Sequence, residues 1–215
     1  MIYSKNKNFL FLAVAKTGTT TIEKHLSTEM RNFSNKDYDM EIYCDKRDSP
    51  YLHKHSTYSE VISLFDNCER PYIFGFVRNP FDRVVSWFNY MTKGLNSERA
   101  KQNSAKTNGI NYLSGDFTEF CIHAPPWVFM NQYLYFIDSL GRVAADKVCR
   151  FEKLSQDFDN VAFTLGIEPM NATNKLNVSS DGRHYSEYYE SRSRNIVQSR
   201  YAIDLKYFDY SFYKF

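Results

Sequence analysis

The chain has 215 residues, of which 43% are hydrophobic and 24% are charged, a composition typical of a globular protein that can bury a core. Its formal net charge of +2 excludes the strongly basic surface of a protein that binds nucleic acid or an anionic membrane, so we expect neither partner. Any binding of anions must depend on a local cluster of charges. We expect a single domain over residues 1–215, and the composition indicates no particular oligomeric state.

The cysteines and the N-terminal apolar run indicate the compartment. The four cysteines are Cys44, Cys68, Cys121 and Cys149. They lack CxxC and zinc-type spacings, which favours reduced, buried thiols.

The run 9–15 follows Lys5 and Lys7 and ends in Ala-Val-Ala, so it also imitates a signal peptide. We prefer a buried strand, because this run leads into the motif described below. No run approaches the roughly 20 apolar residues of a membrane span, and we expect a cytoplasmic protein.

Apolar runs and helical periodicities alternate along the chain. The predicted strands are 8–15, a possible short strand at 40–44, 72–77 and 147–151. The predicted helices are 19–30, 57–66, 80 to about 91, 116–123, 153–165, 185–200 and 201–208. Residues 93–111 are interpreted as a loop that could cover a substrate, and 170–184 as a polar loop. The alternation predicts an α/β domain with a central, mainly parallel sheet flanked by helices, in which ligands bind beyond the carboxyl ends of the strands.

The first strand-to-helix junction has the features of an anion-binding loop. It reads Ala15-Lys16-Thr17-Gly18-Thr19-Thr20-Thr21. The start of a helix offers unpaired N–H groups, Gly18 allows close approach of the backbone, the threonines add hydroxyls and Lys16 adds a full charge. A Walker A loop has its lysine after the second glycine, whereas Lys16 precedes the glycine, which counts against a magnesium-dependent ATP or GTP hydrolase. The alternative is an ordinary junction with a solvated lysine.

The second junction, from Phe76 to Ser86, has the same character. Arg78 stands at the end of a strand, where its fork can bind a phosphate, and Ser86 lies about two turns into the next helix. An ion pair between Arg78 and Asp82 is the alternative, and Arg83 is interpreted as forming a structural ion pair rather than a contact with the ligand. Two anion sites on neighbouring strands predict a ligand with two separated anionic groups. PAPS (3′-phosphoadenosine-5′-phosphosulfate) has this property.

Four segments resemble one family in the same order along the chain. AKTGTTT resembles the 5′-phosphosulfate loop of the PAPS-dependent sulfotransferases, and FVRNPFDRVVSWF resembles their 3′-phosphate motif in the form typical of the carbohydrate or Golgi-type branch and its bacterial relatives. RFEKLSQDFDNVAFTLGI and the C-terminal segment from His184 to Phe212 resemble two later motifs of that family. The departure is Ala15, where proline is usual, and we expect it to affect the rigidity of the loop rather than the chemistry.

The resemblance implies a P-loop-like three-layer fold, PAPS as donor, PAP as product and no metal. Lys16 would contact the bridging oxygen and stabilise the departing phosphate. The residues implied to bind the nucleotide are Lys16, Thr17, Gly18, Thr19, Thr20, Thr21, Arg78, Ser86, Lys175, Ser179 and Arg183. The last three lie in the polar loop that, by resemblance, closes over the nucleotide.

The triplet His53-Lys54-His55 is the candidate source of a general base, which a hydroxyl acceptor needs because its own pKa lies far above 7. Relatives that sulfate glycans carry a similar His-x-His before the 3′-phosphate strand. We assign His55 as the base, with His53 as its supporting partner or the alternative base. A surface triplet without a role is the competing interpretation. The branch implies a sugar hydroxyl as acceptor, and a small metabolite, including one with an amine, is the alternative.

Two other functions remain as hypotheses. One is a small-molecule kinase of the same P-loop-like fold, and the absent Walker A lysine and magnesium ligands count against it. The other is a nucleotide-binding module without catalysis, and the presence of Lys16 and of the histidine triplet counts against that.

Overall fold

The structure is a computed structural model that describes residues 1–33, 40–41, 54–66, 69–93, 115–170 and 183–213. The chain divides into two compact units. The first comprises Met1–Arg78 and Gln132–Asn177, and the second comprises Asn79–Asn131 and Val178–Phe215. The single domain expected over residues 1–215 stays a prediction.

The first unit contains a five-stranded sheet, counted over the described residues. Its strands are β1 (Ile2–Ser4), β2 (Phe9–Leu12), β3 (Met40–Glu41), β4 (Tyr72–Val77) and β5 (Lys147–Arg150), and their order is β3-β1-β2-β4-β5. The strands β2, β4 and β5 are parallel, whereas β1 pairs antiparallel with both β2 and β3. The predicted α/β class is confirmed, but the sheet is mixed rather than mainly parallel.

The antiparallel part of the sheet arises from a tight turn between β1 and β2. The backbone N–H of Asn8 donates to the carbonyl of Lys5 at 3.2 Å, and Asn8 has a φ of 45°. Asparagine tolerates this left-handed conformation better than most residues, so the chain can reverse here. The strand β1 was not predicted, because a strand of 3 residues is too short to show periodicity.

The helices of both units are numbered together. They are α1 (Thr19–Phe33), α2 (Tyr58–Val61), α3 (Pro80–Lys93), α4 (Phe117–His123), α5 (Leu154–Leu165), α6 (Ser191–Arg200) and α7 (Ala202–Tyr207). In the first unit, α1 and α5 cover one face of the sheet, since the two helices and the strands contribute to one buried apolar cluster. The cluster includes Phe9, Phe11, Ile22, Leu26, Phe74, Phe76 and Phe158. Both faces of the central strands are buried, which explains their continuous apolar sequence.

The second unit has an aromatic core built from α3, α4, α6 and the C-terminal segment. Arg83 lies fully buried in this unit and donates from Nη1 to the carbonyl of Met130 and to the hydroxyl of Tyr201, both at 2.8 Å. The Tyr201 hydroxyl in turn donates to the carbonyl of Val128 at 2.6 Å. These bonds give Nη1 of Arg83 and the Tyr201 hydroxyl partners inside an apolar core, so Arg83 contributes to the structure of this unit, whereas the ion pair expected for it stays a prediction.

Most helix boundaries follow the predicted signals. Asn79 accepts a hydrogen bond from the N–H of Phe81 at 3.0 Å at the start of α3, and Gly166 ends α5 with a left-handed φ of 59°. The predicted helix 185–200 is instead a 3-10 turn at Tyr185–Tyr188 followed by α6. It divides because the Ser193 hydroxyl accepts from the N–H of Glu190 at 3.0 Å and caps a new helix there.

The predicted helix 57–66 is likewise divided, into the one-turn helix α2 and a 3-10 helix at Ile62–Phe65. Lys93, the first residue of the loop predicted at 93–111, is the last residue of α3, whereas the rest of that loop and most of the loop at 170–184 lie outside the described residues. Over the part of the chain that is described, no helix is both long enough and apolar enough to cross a membrane.

Candidate functional site

The loop between β2 and α1 lies at the carboxyl end of β2. The carbonyl of Gly18 accepts hydrogen bonds from the N–H groups of Thr21 at 3.0 Å and Ile22 at 3.2 Å, so Gly18 is the residue that starts the helix. The first N–H groups of any helix have no acceptor within it and carry partial positive charge. Thr19, Thr20 and Thr21 form this first turn of α1. The local geometry is that of an anion-binding helix start.

The backbone of the loop is bent at two alternate residues. Lys16 has a φ of 68° and Gly18 a φ of 81°, both in the left-handed region. This conformation costs a residue with a side chain about 1 kcal/mol, and its alternation can direct successive N–H groups toward one side. Between them, the fully buried Thr17 hydroxyl donates to the carbonyl of Val14 at 2.8 Å. The Thr17 side chain therefore stabilises the bend.

Arg78 follows β4, the parallel neighbour of β2, and its guanidinium reaches the loop. Its Nη1 donates to the carbonyl of Lys16 at 3.2 Å. Its Cζ lies 4.2 Å from the centroid of the Phe151 ring. The sequence predicted anion-binding residues on two neighbouring strands, and the pairing of β2 with β4 confirms that their strands are neighbours.

The backbone of Arg78 is held by a side chain. The amide of Gln132 accepts from the N–H of Arg78 at 2.8 Å and donates to its carbonyl, also at 2.8 Å. Gln132 is fully buried, so these two bonds replace the pairing that a further strand residue would provide. The position of Arg78 is thereby fixed at the point where β4 ends.

Lys16 and Arg78 form a pair of like charges in a partly desolvated place. The pKa of Lys16 is lowered from 10.5 to about 8, first by burial and second by the positive charge of Arg78. Both causes disfavour the protonated amine in the absence of a counter-charge. A bound anion would offset both, so the electrostatics favour a ligand that carries negative charge here.

His55 is hydrogen-bonded to Ala13, the residue that directly follows β2. Its Nδ1 lies 2.5 Å from the carbonyl of Ala13, which can only accept, so Nδ1 carries the proton. In the neutral ring, Nε2 then has the lone pair that a general base requires. The neighbouring Lys54 forms an ion pair with Glu23 of α1, which attaches this segment to the helix that starts at the loop.

The other predicted site residues are distributed as follows. Ser86, which is buried on α3, and Arg183, whose Cζ lies 4.2 Å from the Tyr188 ring centroid, belong to the second unit. His53, Lys175 and Ser179 lie outside the described residues. The binding and catalytic roles of all five stay predictions.

Two residues of the site were missed by sequence reasoning. Phe151 lies within the RFEKL motif, but nothing in that motif indicates that its ring contacts Arg78. Gln132 has no local signal, because a glutamine in an aromatic segment gives no sign that it will be buried against a strand end. Within the residues that the structure describes, no group of three or more His, Cys, Asp or Glu side chains is placed to hold a metal ion.

A model of the sulfotransferase family matches residues 1–211, nearly the whole chain. The chain therefore belongs to the sulfotransferase family. No curated protein matches it in sequence.

The depressed pKa of Lys16 has a consequence for stability. Below pH 8 the partly desolvated ammonium destabilises the folded protein, so we expect Lys16→Met to raise the free energy of unfolding at pH 7 by roughly 1 to 3 kcal/mol. Between pH 8 and 10.5 the folded protein loses this proton while the unfolded chain keeps it. The wild type gains stability over that range, and the advantage of the variant should shrink.

Urea unfolding of both proteins at pH 7 and pH 9.5 measures this difference. Because all other titrating groups are shared, the comparison of the two proteins isolates Lys16. An advantage of Lys16→Met that is absent at pH 7, or equal at the two pH values, would contradict the assignment of a partly desolvated lysine beside a second positive charge.

Proposed function

We propose that this protein transfers the sulfuryl group of PAPS to a hydroxyl of a sugar or small metabolite and releases PAP. The observation that carries the proposal is the pairing of Lys16 with Arg78 beside the first turn of α1, where two cations share a partly desolvated place. The proposal includes a P-loop-like three-layer fold, a cytoplasmic location and a reaction without a metal. Membership of the sulfotransferase family supports sulfuryl transfer in general.

In this proposal the two anionic ends of the donor bind at different strands. The 5′-phosphosulfate takes hydrogen bonds from the N–H groups and hydroxyls of the loop and of the first turn of α1, and charge from Lys16. The 3′-phosphate is bound by the fork of Arg78, with Ser86 as a second donor. Lys175, Ser179 and Arg183 are assigned to the segment that closes over the nucleotide.

The reaction needs one proton acceptor and one stabiliser of the leaving group. The acceptor hydroxyl oxygen attacks the sulfur atom, and the bond from sulfur to the bridging oxygen of the 5′-phosphate breaks. Nε2 of His55 takes the hydroxyl proton, while the ammonium of Lys16 stabilises the negative charge that develops on the departing phosphate. His53 is the alternative base. The nearby anionic donor raises the pKa of Lys16, which keeps the amine protonated for this role.

Binding of PAP tests the donor site. We expect PAP to raise the melting temperature without magnesium, because Lys16 and Arg78 supply the charge that a metal would otherwise supply, and we expect ATP to have no effect. A thermal-shift series with PAP, ATP and Mg-ATP measures this. Stabilisation by Mg-ATP alone would favour the kinase hypothesis and refute the sulfotransferase.

Substitution of the proposed base tests the mechanism. We expect His55→Ala to lower turnover by at least about a hundredfold, since general-base catalysis contributes about that much, while PAP binding survives. His123→Ala is the matched control, because His123 is an exposed histidine of the second unit paired with Glu119 at 3.4 Å, and it should remain active.

Turnover is followed by mass spectrometry of newly sulfated species after incubation with PAPS and a cell extract, which also identifies the acceptor. Activity that persists in His55→Ala but is lost in His53→Ala would transfer the role of base to His53. A wild type that binds PAP but sulfates nothing would support the inactive binding module instead.

A further inference from the structure

We propose that Phe151 is a positioning residue whose ring fixes the guanidinium of Arg78 against the Lys16 loop. By fixing the position of the guanidinium, the ring would select nucleotides that carry both a 5′ and a 3′ anionic group over those with the 5′ group alone. The inference rests on the proposed function, because it concerns the same donor site.

The ring of Phe151 packs directly against the loop. A Cβ placed on Gly18 would lie 3.1 Å from both Cδ2 and Cε2 of the ring, which is closer than ordinary contact. The glycine therefore allows the ring to approach the loop backbone at the residue that starts α1. Phe151 follows β5 directly, and β5 is the parallel neighbour of β4, so the ring extends from one strand end toward another.

On the same ring lies the guanidinium of Arg78, with Cζ at 4.2 Å from the centroid. A cation stacked on an aromatic face uses the face of the guanidinium and leaves its N–H groups in the plane, directed outward. One of them donates to the carbonyl of Lys16 at 3.2 Å. The ring thus contacts both the loop and Arg78, and it restrains the fork without occupying its donors.

A restraint of this kind is needed because the two cations repel each other. The positive charge of Arg78 contributes to the lowered pKa of Lys16, so bringing the two side chains together costs free energy before any anion binds. Gln132 fixes the backbone of Arg78, but a long side chain retains rotamer freedom beyond a fixed backbone. The ring of Phe151 restrains that side chain.

The experiment measures dissociation constants for PAP and for adenosine 5′-monophosphate, which lacks the 3′-phosphate. In Phe151→Leu we expect PAP to bind up to about tenfold more weakly, since Arg78 then has to be ordered on binding, while the affinity for adenosine 5′-monophosphate changes less than about twofold. Phe151→Tyr keeps the aromatic face and should bind PAP like the wild type. In an Arg78→Met background, Phe151→Leu should have no further effect.

A purely structural role for the ring predicts different results. It would weaken both nucleotides equally, or weaken PAP as much in the Arg78→Met background as in the wild type, and either result would overturn the inference. If Phe151→Leu does not fold, Phe151→Met also removes the ring. The affinities of that variant for PAP and for adenosine 5′-monophosphate then test the inference in the same way.

Failure of the inference and failure of the proposed function give different results. A wild type that binds PAP no more tightly than adenosine 5′-monophosphate refutes the two-anion site and the inference together. A wild type that prefers PAP, with a preference that Phe151→Leu leaves unchanged, refutes only the role of Phe151.

Discussion

Two positive side chains, Lys16 and Arg78, are held together in the first unit although their charges repel. Their contact is a hydrogen bond from the guanidinium of Arg78 to the backbone carbonyl of Lys16 at 3.2 Å. The parallel pairing of β2 with β4 makes the contact possible, because it brings two carboxyl strand ends to the same edge of the sheet. Gln132 fixes the backbone of Arg78 in this arrangement through two hydrogen bonds.

Maintaining it costs free energy in three ways. Lys16 has a left-handed backbone, its amine is partly desolvated, and it lies near a second cation. The packing of the sheet beneath the loop offsets this free energy cost, since both faces of its central strands are packed with apolar side chains. Sites that concentrate strain and like charge in this manner are those at which binding of an anionic ligand gains most, because the ligand removes a penalty as well as adding contacts.

Much of this arrangement was predictable from local sequence. The runs at 8–15, 72–77 and 147–151 predicted the parallel strands β2, β4 and β5, and the order of Lys16 before Gly18 predicted an anion-binding loop that differs from a Walker A loop. The position of Arg78 at the end of a strand was also predicted, because Arg78 directly follows the apolar run 72–77. These features depend on residues that are close together along the chain, where periodicity and turn chemistry are informative.

The remainder depends on contacts between distant segments. Gln132 bonds to Arg78 across 54 positions of sequence, and His55 bonds to Ala13 across 42. No local sequence pattern predicts such pairings. Neither the hydrogen bonds of Gln132 to the backbone of Arg78 nor the tautomer of His55 could therefore be derived from sequence. The antiparallel strand β1 escaped prediction for a different reason, since 3 residues are too few to show an alternation.

Proton uptake on PAP binding tests the central claim most directly. The claim is that the pKa of Lys16 is lowered in the free protein and that a bound anion raises it. Calorimetry of PAP binding at pH 8, in buffers with different ionisation enthalpies, measures this uptake. With a pKa of about 8 in the free protein and a higher pKa when PAP is bound, Lys16 should take up about half a proton, and Lys16→Arg should take up none. Binding without uptake in the wild type, or equal uptake in Lys16→Arg, would contradict the account.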